Sequence, residues 1–140
     1  NDSENGNWYD IDRRRQFPAS FKNENLLTVA ATTVLGGPAS FSNVGVQSVD
    51  VAAPGDRILS TIPGNKYDYC NGTSMAAPIV SGMAAHLLAY YTTMTPLEVK
   101  ETIMSSVYPV APLRGKVGTG GRVDLAQALE YAALHYSHRQ

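Results

Sequence analysis

Ile79, Met83 and Leu87 recur at i, i+4 and i+8, with Val80, Ala84 and Leu88 alongside, so the stretch starting near Ser74 predicts a helix that is apolar nearly all round. No single face of such a helix can hold its apolar surface away from water, so it must sit at the centre of a fold with other layers around it. A membrane span is the other use for an apolar helix. The run from Met75 to Ala89 is interrupted by Pro78, Ser81, Gly82 and His86 and falls far short of the roughly 20 apolar residues a span needs. A soluble chain is expected. No basic region followed by an apolar core and a cleavage site is present, so a secretory signal would have to lie outside this sequence.

Other segments supply candidate layers. Leu26 to Ala31 is a nearly continuous apolar run of strand length, which suits a strand covered on both faces, as in parallel sheets. Val49–Ala53, stopped by Pro54-Gly55, and Arg57–Thr61, stopped by Ile62-Pro63-Gly64-Asn65, read as short strands. Tyr67 to Asn71 alternates weakly and runs straight into the helix start. Thr95-Pro96-Leu97-Glu98 joins an N-cap Thr, a Pro at the first helical position and a Glu three residues on, a capping box that opens a helix to Ser105. Asp124 and Gln127 repeat that logic for a last helix to about Ala133. Residues 1 to 16 have no apolar period and read as surface loop, and His135 to Gln140 as a frayed end. No linker or repeat divides the 140 residues, so one unit without an internal boundary is expected.

Charge and cysteine content exclude several functions. A net charge of −1 with 16% charged residues argues against a polyanion-binding surface, and no nucleic-acid partner is expected. Cys70 is the only cysteine, so it makes no internal disulfide and cannot alone supply a zinc site. A thiol four positions before Ser74 invites reading it as the nucleophile. Without a neighbouring His or cation in sequence, a buried small hydrophobe is the better reading.

The helix start carries the chemistry. Serine is a poor nucleophile at neutral pH, so an enzyme must expose its hydroxyl, supply a base and place donors where an oxyanion develops. In Asn71-Gly72-Thr73-Ser74, Gly72 tolerates backbone conformations closed to other residues. Ser74 falls where free N–H groups and the helix dipole favour negative charge. Pro78, four residues on, lacks the N–H that would pair with the Ser74 carbonyl, which loosens the first turn. Taken alone these features fit a capped helix, since a Ser at a helix start is far more often a cap than a nucleophile. A phosphate-binding turn is a third and weaker reading, since the Gly-x-x-x-x-Gly-Lys spacing and its Lys are missing.

The seven residues Gly72-Thr73-Ser74-Met75-Ala76-Ala77-Pro78 match the nucleophile motif of the subtilase family at every position. Phe17-Pro18-Ala19-Ser20-Phe21, Leu27-Thr28-Val29-Ala30-Ala31, Ser40-Phe41-Ser42-Asn43-Val44-Gly45, Asp50-Val51-Ala52-Ala53-Pro54-Gly55, Ser60 to Tyr67 and Gly118 to Asp124 also resemble subtilisin in order and spacing. The resemblance implies the C-terminal part of a subtilase catalytic domain: part of a three-layer α/β fold with a mostly parallel sheet and a central buried helix after the nucleophile. It departs from many members at Ile79, where they carry a non-catalytic His.

The resemblance further implies a serine endopeptidase with Ser74 as nucleophile. Asn1, with Asn5 and Asn7 as competitors, would be the oxyanion-hole amide, assisted by the Ser74 N–H and by Thr73. Asp2, Gln16, Asn71 and Thr73 would face the substrate, although Arg13, Arg14 and Arg15 blur any charge preference that Asp2 would set. Met75 would make the enzyme sensitive to oxidation. The triad's His and Asp would come from sequence outside this chain, because His86, His135 and His138 all follow Ser74 and none has the family's surroundings. His86 lies twelve residues on, about 18 Å along a helix. Asp50 and Asp124 match structural positions.

A weak cation site of subtilisins, built from carbonyls near Ala19 and Phe21 with Asp50 nearby, has a counterpart here, but neither a metal nor a cofactor is expected. The implied partners are a peptide or protein substrate and the N-terminal part of the same protease. Alone, the piece is expected to be inactive and to self-associate through apolar edges on Leu26–Ala31 and the central helix. The family's usual setting implies a secreted or lumenal protein. The alternative reading is a protease-like fold kept as a non-catalytic binding or assembly module.

Overall fold

The computed structural model describes residues 8–136; Asn1, Asp2, Asn5, Asn7 and His138 lie outside them. The elements run β1 (Val29–Thr32), β2 (Val51–Pro54), β3 (Ile58–Ile62), β4 (Lys66–Cys70), α1 (Thr73–Tyr90), α2 (Pro96–Ser105), β5 (Tyr108–Pro109), a single 3-10 turn (Ala111–Leu113), β6 (Gly121–Arg122) and α3 (Leu125–Tyr136). One sheet has the order β1-β2-β6-β5, and β3 and β4 form a separate antiparallel hairpin. In the larger sheet β1, β2 and β6 are parallel, and β5 joins β6 antiparallel.

Strand geometry sorts residues to the two faces of that sheet. With Val29 opposite Val51, Ala30 opposite Ala52 and Ala31 opposite Ala53, Ala31, Val51 and Ala53 point to one face. There they meet Ala76, Val80, Met83 and Leu87 of α1, Val99 and Ile103 of α2, and Ala128 and Ala132 of α3. Ala30 and Ala52 point to the other face, onto Ile11, Val49, Leu113 and Val117. Alanines fill the central positions, so α1 can approach the strands closely.

Three expectations change. Residues 1 to 16 read as surface loop, yet Ile11 is 1% exposed and its N–H donates to the Val44 carbonyl at 2.8 Å; a lone apolar residue in a polar stretch leaves no period to detect. The helix expected to be buried all round buries only Ala76, Val80, Met83 and Leu87 among the described residues, while Leu88 stays 42% exposed. The edge expected to be open on Leu26–Ala31 is covered at its end: Ala30 and Ala31 are fully buried. The Ala31 carbonyl accepts from the Ala39 N–H, and the Ala31 N–H donates to Ser42 Oγ, both at 2.9 Å.

The capping box forms as its sequence requires. Thr95 Oγ1 accepts the Glu98 N–H at 3.3 Å, and Glu98 Oε2 accepts the Thr95 N–H at 2.8 Å. Thr95→Ala is expected to lower stability by about 1 kcal/mol, read as a lower urea midpoint with an unchanged m-value. Asp124 caps α3 by accepting the Gln127 N–H at 3.1 Å.

Candidate active site

The Ser74 turn stands at the carboxyl ends of the parallel strands, where open α/β sheets form their ligand crevices. Thr32 closes β1 and its carbonyl accepts the Gly55 N–H at 3.0 Å; the Gly55 carbonyl then accepts the Gly72 N–H at 2.8 Å. Two hydrogen bonds thus fix the start of α1 to the end of the sheet. Gly55 itself is required by proximity, since a Cβ there would stand 2.6 Å from the Ala31 Cβ and 2.7 Å from the Gly72 carbonyl oxygen. Gly55→Ala is expected to lower stability by roughly 1–3 kcal/mol by overpacking, measured as a denaturation midpoint on the full-length protein.

Gly72 is the N-cap of α1 with φ 153° and ψ 160°, a conformation that L side chains rarely adopt. From it the chain turns directly into the helix, with the Met75 N–H donating to the Gly72 carbonyl at 3.0 Å. Ser74 is the second helical residue and is exposed. A first-turn N–H has no intrahelical acceptor, so the Ser74 amide points out beside its own hydroxyl. An exposed Oγ, an outward N–H and the positive end of an 18-residue helix together form a place where a nucleophile and a developing oxyanion can be served. Pro78 lies inside α1, so it cannot donate to the Ser74 carbonyl.

Asn71 braces the turn: its Oδ1 accepts the Arg57 N–H at 2.7 Å. Arg57 has φ 56°, so the amide holds a left-handed residue at the entrance of the β3–β4 hairpin. Thr73 opens α1 next to Ser74. Gln16 lies in the loop before β1. Its N–H donates to Ser20 Oγ at 3.0 Å and its carbonyl accepts the Ser20 N–H at 2.7 Å. That turn is tied by Thr28 Oγ1 to the Ala19 carbonyl at 3.1 Å, at the opening end of β1.

Both described histidines are engaged on their own helices. His86 is exposed on α1 with Nδ1 2.9 Å from the Gly82 carbonyl oxygen, and His135 stands 2.8 Å from the Tyr131 carbonyl oxygen. His86 faces an open groove with Ile79, Arg122 and Asp124. Cys70 ends β4, opposite Ile58, and is partly buried. No cluster of three or more His, Cys, Asp or Glu residues able to hold a metal exists among the described residues.

Sequence reasoning missed the role of Gly55, reading Pro54-Gly55 only as a strand stop. The signal was the Gly itself, directly after a strand. The brace from Asn71 to Arg57 spans 14 residues and leaves no local pattern.

Comparison with known proteins agrees with this arrangement. Residues 5–133 match the subtilase family (Peptidase_S8). A thermophilic serine proteinase of Bacillus sp. (strain AK1) is 40% identical over 119 residues, covering 85% of this chain and 27% of that protein. An extracellular protease of Xanthomonas campestris pv. campestris is likewise 40% identical over 119 residues, covering 79% and 20%. The solved patellamide maturation protease PatA superposes with a TM-score of 0.71 at 34% identity, covering 84% of this chain and 45% of that one. The chain therefore spans between a fifth and a third of those curated relatives' length, and it belongs to the subtilase family.

Proposed function

We propose that this chain is the nucleophile-bearing part of a serine endopeptidase whose His and Asp are supplied by the remainder of a longer protein. The observation that carries this reading is the exposed Ser74 on a glycine-capped turn, bonded through Gly55 to the carboxyl ends of β1 and β2. In the reaction, Ser74 Oγ attacks the scissile carbonyl carbon while the histidine takes the hydroxyl proton. The carbonyl oxygen becomes an oxyanion, held by the Ser74 N–H and the Asn1 amide, with Thr73 assisting. Collapse breaks the C–N bond, and the histidine returns its proton to the leaving amine. Water then hydrolyses the acyl-enzyme by the same path in reverse, freeing Ser74.

The exposed face of α1 supports a longer protein. Ser81, Gly82, Ala85, His86, Leu88 and Ala89 face solvent, and a groove of about 360 Å³ opens between β1, α1 and α2, lined by Leu27, Val29, Ala84 and Leu88. A helix with alanine, glycine and leucine on both sides is made to be covered on both, and the missing part of the protease is the cover that suits it. Without it the piece would self-associate. The substrate is a peptide or protein, met by Thr73, Asn71 and Asp2. No described helix is long and apolar enough to cross a membrane, and a secreted or lumenal setting fits the family.

A fluorophosphonate probe tests the reading. The full-length protein is expected to label at Ser74, and residues 1–140 alone to give little or no adduct. Absence of labelling on folded full-length protein would point to a non-catalytic binding module. Strong labelling of the isolated chain would show that no outside base is needed.

A further inference from the structure

We propose that the Lys100 ammonium is a built-in cation at the entrance of β1, standing in the pocket where the subtilase resemblance raises a weak metal site and keeping a metal ion out. The pocket holds about 200 Å³ and brings together Ala19, Phe21, Leu26, Asp50 and the lysines Lys22 and Lys100. Several of the oxygens a hard cation would use already have partners. Lys100 Nζ donates to the Leu26 carbonyl at 2.5 Å and stands 3.8 Å from Asp50 Oδ1. Asp50 Oδ2 accepts the Thr28 N–H at 2.7 Å, and the Ala19 carbonyl accepts Thr28 Oγ1 at 3.1 Å. A second ammonium, Lys22 Nζ, donates to the Gln47 carbonyl at 3.3 Å on the same pocket.

A calcium ion takes six to eight oxygens at about 2.3–2.6 Å, several of them anionic. Here the charged lining residues are Asp50, Glu24, Lys22 and Lys100, which sum to zero. The donor set does not fit a divalent ion. It holds an ammonium through one short hydrogen bond and one ion pair, and the ammonium supplies its own charge.

The placement also explains what the contact does. Lys100 lies on α2, and Leu26 and Thr28 lead into β1, 74 residues away in sequence. Both groups are largely shielded, with side-chain exposures of 21% and 23%, so the pair is screened less by solvent than an exposed one. The ammonium thus ties the outer helix to Asp50 and to the segment that leads into the first strand.

The test is calcium-dependent thermal unfolding of the full-length protein, comparing EDTA with 10 mM CaCl₂ (~10 mM, chosen to saturate a weak site). This inference is independent of the peptidase reading, since the readout is stability. The wild-type response to calcium is expected to be the same in Asp50→Asn, because no calcium acts through Asp50. Lys100→Met is expected to lose stability in EDTA and to gain an extra calcium-dependent rise on the order of 5 °C, which Lys100→Met/Asp50→Asn lacks. Should Lys100→Met not fold, Lys100→Gln removes the charge while keeping a polar end and is read the same way. A wild-type calcium response that shrinks in Asp50→Asn would overturn the proposal, as would a neutral residue at position 100 that brings no new calcium response.

Discussion

Ser74→Ala in the full-length protein is expected to lower kcat for peptide hydrolysis by about 10⁶-fold, with KM nearly unchanged. The size follows from the loss of covalent catalysis itself. On the proposed mechanism no acyl-enzyme would form without Oγ, and the histidine and aspartate would have nothing to activate, so the triad would fail as a unit. What survives is the oxyanion hole and substrate binding, worth roughly 10³–10⁴ over water. Because Ser74 is exposed at the second position of α1, its truncation leaves the core intact, and the unfolding midpoint should move by less than about 0.5 kcal/mol. Cys70→Ala serves as the internal comparison. The thiol is partly buried at the end of β4, and its removal should leave kcat within a few-fold. A collapse of activity in Cys70→Ala with retention in Ser74→Ala would transfer the nucleophile to the thiol. Steady-state kinetics on one peptide, with circular dichroism to verify folding, decides between them.

The parts of this fold that could be read from sequence are those whose cause is local. The Thr95–Glu98 box and the Asp124 cap are written within four residues each, and both form with the expected donors and acceptors. β1 and β2 are apolar on both faces because both are covered, so their runs are visible, displaced by two or three residues at the start. Tyr108–Pro109 and Gly121–Arg122 are two-residue strands, too short for any period, and they exist because β6 finds Ala52 on one side and Tyr108 on the other. Ile11 likewise owes its burial to Leu113 and Val117, about a hundred positions away, which no nearby residue announces.

The site divides in the same way. Spacing and caps place a serine at a helix start, but they cannot raise it above a capping residue; the seven-residue match to the subtilase motif is what supports the nucleophile proposal. What neither supplied is the mechanical connection. Thr32, Gly55 and Gly72 are linked end to end by two hydrogen bonds, and the tight approach of Gly55 to Ala31 is a property of three segments meeting. The one-sided burial of α1 has the opposite origin. Its sequence specifies a helix covered all round, and the exposed half records a surface that these residues alone do not cover.

Asn1→Ala in the full-length protein is expected to lower kcat by roughly 10²–10³, about 2.7–4 kcal/mol of transition-state stabilisation. On the proposed mechanism the Ser74 N–H at the head of α1 would give one hydrogen bond to the oxyanion, and a tetrahedral oxyanion needs at least a second. A neutral carboxamide suits that task, since it donates without a proton to lose. Truncation removes a bond made mainly in the transition state, so kcat and kcat/KM should fall together while KM stays put. Asn1→Asp should be worse than Asn1→Ala, because a carboxylate there would repel the developing charge. The comparison that identifies the residue is Asn1→Ala against Asn5→Ala and Asn7→Ala under identical conditions. A hundredfold loss confined to Asn1 assigns the donor; the same loss appearing at Asn5 or Asn7 instead, with Asn1→Ala near wild type, would assign it to that residue.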